Sequence, residues 1–351
     1  MKKINVITYC AWGSIGSILQ SYALTKTLND LGHENTLWLE EWNRIVFHKK
    51  PASLKDCIRW IYKRFYRGKI DSAYRKRMDF ISKHMKAKYF SDWDMFHKKA
   101  LDHKKDIYLA GSDQIWNFEL CRPLFFLNFV ENSKKISYAA SMGETRTVPE
   151  NEDKIKEYIS SFDKISVREQ VCVDILTKMT DKEISVNIDP TFLVNVEDWR
   201  SIEQKYNVHS PYILLYMLYW NDAYKVKISE LKKRTGLPVY AICSDVSHVY
   251  ADKRFFDVGV GEFLWLIDNA KYVITSSFHG VALSIIFRKQ FTPVINPSSP
   301  SRIEHILKLL NVPCVDIDEL DRAEDFNYDD IYTNIERERQ RSIAYLKDAI
   351  E

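Results

Sequence analysis

One histidine in this 351-residue chain stands where a proton-transfer group would stand. His279 lies in Tyr272-Val273-Ile274-Thr275-Ser276-Ser277-Phe278-His279-Gly280, and an apolar run from Val281 to Phe287 follows. The pattern reads as a strand, a tight loop and a buried helix. Ligands of open α/β sheets bind at such strand ends. The helix start offers free N–H groups and a positive dipole end to an anion, which makes Ser276, Ser277 and Gly280 candidate binding residues. A histidine there can carry a proton near neutral pH. The competing expectation is a histidine that merely caps or packs.

Polar residues at a strand's carboxyl end recur along the chain. Asp106 to Ala110 is strand-like and runs into Gly111-Ser112-Asp113-Gln114-Ile115-Trp116-Asn117. Asp113, Gln114 and Asn117 form a cluster more typical of a site than of a plain turn, although Gly-Ser-Asp is also ordinary capping chemistry. Ile136 to Gly143 repeats the pattern. Lys164 to Val167 ends at Arg168-Glu169. A guanidinium there suits a carboxylate or phosphate; the alternative is an ion pair with Glu169 or another acid. Ile184 to Ile188 closes on Asp189-Pro190-Thr191, and a helix from Ser301 carries Arg302.

The chain opens with a β-branched strand pattern, Ile4 to Thr8, a loop holding Gly13 and Gly16, and a helix with Gln20 and Tyr22. Gly16 would let a ligand approach the backbone, and Gln20 would be a polar contact or part of the helix core. The third glycine of the dinucleotide fingerprint is missing, so no such cofactor is expected. The six cysteines form no CxxC pair, which argues against zinc and against a disulfide framework and fits a reducing cytoplasm. No stretch approaches a membrane span, and nothing near the N-terminus reads as a signal peptide.

These residues need a scaffold that brings several strand ends together. Strand and helix alternate through both halves, so the expected fold is α/β: two Rossmann-like domains facing a cleft. The expected division is 1–205, 206–325 with the Ser-Phe-His-Gly loop, and a charged C-terminal helix over 326–351. Residues 49–105 read as a basic helical insertion in the first domain, with 18 Lys and Arg against 6 Asp and Glu. Aromatics including Trp60, Tyr62, Phe65 and Phe80 dot that block. Such a block suits an anionic membrane surface or a phosphorylated acceptor, and it equally suits nucleic acid. The plain alternative is a solvated helical face. The reading adopted is peripheral membrane contact, with no nucleic acid.

Together these motifs resemble a known family. Gly111 to Asn117 and Thr275 to Gly280 look like signatures of the polysaccharide pyruvyl transferases. Gly16-Ser17-Ile18-Leu19-Gln20-Ser21-Tyr22-Ala23-Leu24 resembles the family's glycine-to-helix segment, and Ser166 to Glu169 and Asp189 to Thr191 its middle motifs. The matches run in family order from about residue 5 to 310; Ile15 departs from the aromatic that many members carry before the glycine. The resemblance implies a fold similar to GT-B glycosyltransferases. It implies transfer of pyruvate from phosphoenolpyruvate onto two hydroxyls of a sugar in a cell-surface polysaccharide precursor, giving a cyclic ketal and phosphate. Arg168, His279 and Arg302 correspond by position to the family's basic donor-site residues. His279 and Arg168, with Asp113 positioning a hydroxyl or relaying a proton, are then the expected catalytic set. Arg302, Ser276, Ser277, Gly280, Gly16, Gln20, Gln114 and Asn117 are the expected substrate contacts. No metal or cofactor is expected beyond the donor. The acceptor would be lipid- or nucleotide-linked, and the enzyme cytoplasmic at the inner membrane face. Two other readings stay open: a GT-B glycosyltransferase using a nucleotide sugar, and a non-enzymatic polyanion reader.

Overall fold

The structure is a computed structural model that describes residues 1–10, 14–41, 64–119, 121–143, 151–209, 211–219, 222–243, 250–296 and 301–351. Residues 49–63 of the basic block, with Cys57, Trp60 and Tyr62, and the loop residue Gly13 lie outside them.

The first half runs β1 (Lys3–Ile7), α1 (Ile15–Asp30), β2 (Glu34–Glu40), α2 (Arg67–His84), β3 (Ala87–Phe90), α3 (Trp93–Asp102), β4 (Ile107–Ala110) and β5 (Lys135–Ser137). Its sheet is wholly parallel, in the order β3-β2-β1-β4-β5. Strand β1 is buried from Ile4 onward and β4 throughout, as parallel strands covered on both faces should be. Next come α4 (Glu152–Ser160), β6 (Ile165–Val167), α5 (Gln170–Leu176), β7 (Ile184–Val186) and α6 (Val196–Ser201). The β6–β7 pair extends the sheet through single bridges, Ile136 to Lys164 and Ala140 to Val167.

The second half repeats the plan with β8 (Ile213–Tyr216), α7 (Ala223–Thr235), β9 (Val239–Ile242), β10 (Lys253–Phe255), α8 (Val260–Asp268), β11 (Tyr272–Thr275), α9 (Phe278–Ile286), β12 (Gln290–Pro293) and α10 (Ser301–Leu310). This sheet is parallel too, ordered β10-β9-β8-β11-β12. Helix α7 stops at Gly236, whose φ of 68° takes the left-handed conformation that ends many helices. Two such sheets with helices around them make the expected pair of Rossmann-like domains.

One apolar core spans both domains. Ile15, Leu19 and Tyr22 of α1 share it with Phe278, Val281 and Ile285 of α9. The last helix, α11 (Tyr328–Ile350), ties the halves from outside. Near its start, the Tyr328 and Tyr332 hydroxyls donate to the carbonyls of Lys289 and Ile286 in the second domain. Further along, Tyr345 donates to the Ser137 carbonyl (2.9 Å), and Ser342 Oγ accepts from the Ile188 N–H (3.1 Å) in the first. Among the described residues no helix is long and apolar enough to cross a membrane.

The basic block departs from expectation. Its described part is not all helix: Ala87 to Phe90 form the edge strand β3 against β2. Only Phe90 of the four is buried, so its composition reads like a helix surface; a lysine-bearing face is what an exposed sheet edge needs. Helix α2 is also more than a solvated face. Lys76 Nζ donates to both carboxylate oxygens of Glu262 (2.6 and 2.8 Å) and to the Asp257 carbonyl (2.9 Å), and Arg77 donates to the Val258 carbonyl (3.2 Å). Basic residues of the first domain thereby brace the second.

Candidate functional site

The polar residues gather where strands of both domains end. After β4 the backbone turns sharply, with Asp113 at φ 73°, outside the usual range for a residue with a side chain. Its own Oδ1 accepts from the Gln114 N–H (2.9 Å) and steadies that turn. After β6 comes Arg168, held beside the first sheet because its N–H donates to the Ala140 carbonyl (3.0 Å). After β7 comes Asp189, and after β11 the Ser277 cap and His279.

Arg168 is the hub and is 3% exposed. Its Nε donates to Glu169 (2.8 Å) and its Nη1 to Asp189 (2.7 Å), while the face of Phe278 lies 4.1 Å from the guanidinium carbon. Burial opposes its charge, but Glu169, Asp189 and Asp113 outweigh burial and raise its pKa. Both carboxylates are held by others as well. Asp189 also accepts from Ser112 Oγ (3.1 Å) and from the Thr191 N–H and hydroxyl (3.0 and 2.8 Å). Glu169 also accepts from Ser141 Oγ (3.0 Å). Burial would raise the Asp189 pKa, but His279, Arg168 and the Thr191 N–H bring it below the ordinary value.

His279 Nε2 lies 3.8 Å from Asp189 Oδ2, which is ion-pair range but too long for a hydrogen bond. Nε2 is buried with no hydrogen-bond partner among the described residues. Burial lowers its pKa; Arg168 and Arg302 push the same way, against Asp189 and Asp113. The free site therefore holds a neutral imidazole at neutral pH, ready to accept a proton.

Arg302, near the start of α10, faces the same centre. With its amide oxygen turned to the guanidinium, Gln114 accepts from both terminal nitrogens of Arg302 (2.5 and 3.1 Å). Gly143 (φ 75°) leaves room for that amide, because a Cβ there would fall within 3.0 Å of its other terminal atom, the nitrogen in this orientation. Arg302 Nε has no partner among the described residues, and Arg168 Nη2 has none either. Burial and then repulsion from Arg168 lower the Arg302 pKa, against Asp113 and Glu169.

The other expected contacts divide. Gly16 comes from the opposite domain and meets His279: a Cβ on it would sit closer than 3.0 Å to Nδ1. Gly280 is needed for a similar reason, its Cβ position blocked by the Thr275 hydroxyl. Ser277 caps α9 by accepting from the Gly280 N–H (3.4 Å). Three side chains make hydrogen bonds within the fold. Ser276 Oγ accepts from the N–H groups of Leu218 and Tyr219 (both 2.8 Å). Gln20 is fully buried and binds Thr8 Oγ1 (3.0 Å) and the Tyr9 carbonyl (2.8 Å). Asn117 Oδ1 accepts from the Glu119 N–H (2.9 Å) in a local turn.

Sequence reasoning passed over His305 and missed that Asp189 pairs with Arg168. The ion pair of Arg168 with Glu169 that the sequence offers as the alternative is present and buried, with Asp189 as its second carboxylate. Both carboxylates follow a strand end, which is the signal that located Asp113.

The Gly16 contact yields a test. Gly16→Ala should lower kcat by about 10²-fold by displacing His279, the scale of an ångström-sized misplacement. The overlap with the His279 side chain costs about 1–3 kcal/mol and alanine's helix preference offsets about 1, so the variant should stay folded with at most a modest drop in melting temperature. Activity and thermal unfolding measured together check this; a fully active variant would show that the contact positions nothing.

Two parallel-sheet α/β domains whose strand ends converge on one charged centre have the GT-B-like fold. The backbone is similar to UDP-GlcNAc 2-epimerase from Methanocaldococcus jannaschii (TM-score 0.55, 11% identity, 96% of this chain and 92% of that one). It is also similar to UDP-GlcNAc 2-epimerase from Neisseria meningitidis bound to UDP-GlcNAc (0.54, 10%, 99% and 100%). A third is an alpha-glucosyltransferase in complex with UDP (0.51, 10%, 99% and 95%). At these identities the likeness is one of fold. No match to a curated protein sequence is found. The chain belongs to the polysaccharide pyruvyl transferase family, whose model matches residues 15–299.

Proposed function

We propose that this enzyme transfers pyruvate from phosphoenolpyruvate onto two hydroxyls of a sugar in a cell-surface polysaccharide precursor, closing a cyclic ketal and releasing phosphate. The observation that carries this reading is a set of three buried nitrogens without partners among the described residues: Arg168 Nη2, Arg302 Nε and His279 Nε2. Buried polar groups rarely stay unpaired, so a ligand rich in anionic oxygens fits them. Arg168 is already balanced by two carboxylates, so Arg302 bears more of the donor's charge.

His279 takes the proton of the first hydroxyl and, as an imidazolium opposite Asp189, passes it to C3 of the donor as the C2=C3 π bond breaks. That π pair forms the new C–H bond of the methyl group, and the hydroxyl oxygen bonds to the C2 so made electron-poor. The C2–O bond to phosphate then breaks, its electron pair leaving with the phosphate. The second hydroxyl bonds to C2, and its proton ends on the phosphate. Asp113 orients the sugar hydroxyls. No metal or cofactor takes part in this scheme.

The acceptor is a lipid- or nucleotide-linked sugar on the cytoplasmic side of the membrane. Exposed Phe65, Trp93 and Met95, set among the basic residues of 64–105, support peripheral contact with an anionic surface. Phosphate release from phosphoenolpyruvate, with a panel of galactosyl and N-acetylmannosaminyl acceptors and mass spectrometry of the products, tests the reading. The expected result is a sugar heavier by pyruvate minus water. Thermal protection by a UDP-sugar but not by phosphoenolpyruvate would favour a glycosyltransferase instead.

A further inference from the structure

We propose that His305 is a second proton-transfer residue of this site, binding the donor's phosphate and protonating it as it leaves. The proposal rests on the pyruvate-transfer reading. His305 follows Arg302 by three residues on α10, so both lie on one face of that helix. Arg302 Nε and His305 Nε2 share an unusual state: each is buried and has no hydrogen-bond partner among the described residues. The charges of Arg168 and Glu169 act on both side chains.

The reaction itself calls for a second group. Two hydroxyl protons are released; one reaches the methyl carbon and the other the phosphate. His279 completes the first transfer and is neutral again. His305, one helical turn from the Arg302 that holds the phosphate in this proposal, gives its own proton to the phosphate oxygen as the C2–O bond breaks. The second hydroxyl's proton, released as that oxygen bonds to C2, restores the imidazolium.

The charges around His305 suit a group that gains a proton on binding. Burial lowers its pKa in the free protein. Glu169 at the β6–α5 junction and Glu338 on α11 favour the imidazolium; Arg168 and Lys308 oppose it. A phosphate adds negative charge and turns that balance toward the imidazolium.

The test uses the full chain with His305→Gln and His305→Ala. His305→Gln keeps an N–H donor without a titrating proton. It should keep KM for phosphoenolpyruvate within about threefold, lose about 10²-fold in kcat, and lose the alkaline limb of the kcat–pH profile. His305→Ala should also lose the thermal stabilisation that inorganic phosphate gives the wild type. Kcat within about twofold of wild type in both variants overturns the proposal. So does a kcat loss with an unchanged pH profile, which marks a structural role. If the wild type releases no phosphate with any acceptor, the pyruvate-transfer reading falls. The inorganic-phosphate arm then decides His305 alone: equal stabilisation of wild type and His305→Ala overturns the site, and loss in the variant supports it.

Discussion

His279→Ala should lower kcat by about 10²–10⁴-fold, the usual worth of a positioned acid–base group. The protein should still fold, because Nε2 makes no hydrogen bond among the described residues that the change would break. Wild-type kcat/KM carries the pH signature. The neutral imidazole is the active form in the free enzyme, and its pKa lies below the ordinary 6.5. The acid limb assigned to His279 should therefore fall below that value, and it should vanish in the variant. Stability follows the same sign. A histidine with a lowered folded pKa binds fewer protons folded than unfolded, so the fold loses stability as pH drops from about 6.5 toward the lower value. The variant's melting temperature should fall less steeply over that window. Turnover, pH–rate profiles and thermal scans of both proteins decide it; a variant with wild-type turnover removes His279 from the chemistry.

Arg168→Met should have the largest effect on stability. It leaves Glu169 and Asp189 buried without their cation, since the three side chains are 0–3% exposed. Removing one partner of a buried ion pair costs about 3–5 kcal/mol. Adding Asp189→Asn removes one stranded charge and should restore part of the loss, so the two changes will not be additive. Urea unfolding of the wild type, both single variants and the double variant measures this coupling. Additive effects would mean that Arg168 and Asp189 stand energetically apart, against the 2.7 Å contact. Activity should be lost in every variant lacking Arg168, because the proposed donor cradle includes its Nη2.

Much of the fold was legible in the chain, for a simple reason. Parallel strands buried on both faces carry unbroken apolar runs such as Tyr212 to Tyr216, and helices stop at residues such as Gly236. Edge strands β3 and β10 were not legible. They are short and half exposed, and their residues carry charge, so no pattern marks them. The site was legible in part. Asp113, Gln114, Arg168, His279 and Arg302 sit at element ends, where polar residues interrupt apolar runs.

By itself, the sequence determined the alternating α/β plan, the residue types at the strand ends and the family to which they belong. Local spacing controls all of these. Only the tertiary structure decided how those residues are used. It showed that Arg168 is balanced by Glu169 and Asp189, that Gly16 of one domain abuts His279 of the other, and that Gln20, Ser276 and Asn117 make hydrogen bonds within the fold. Pairing and burial are set by how separate sheets and helices pack across the interdomain core. No local spacing encodes that distance.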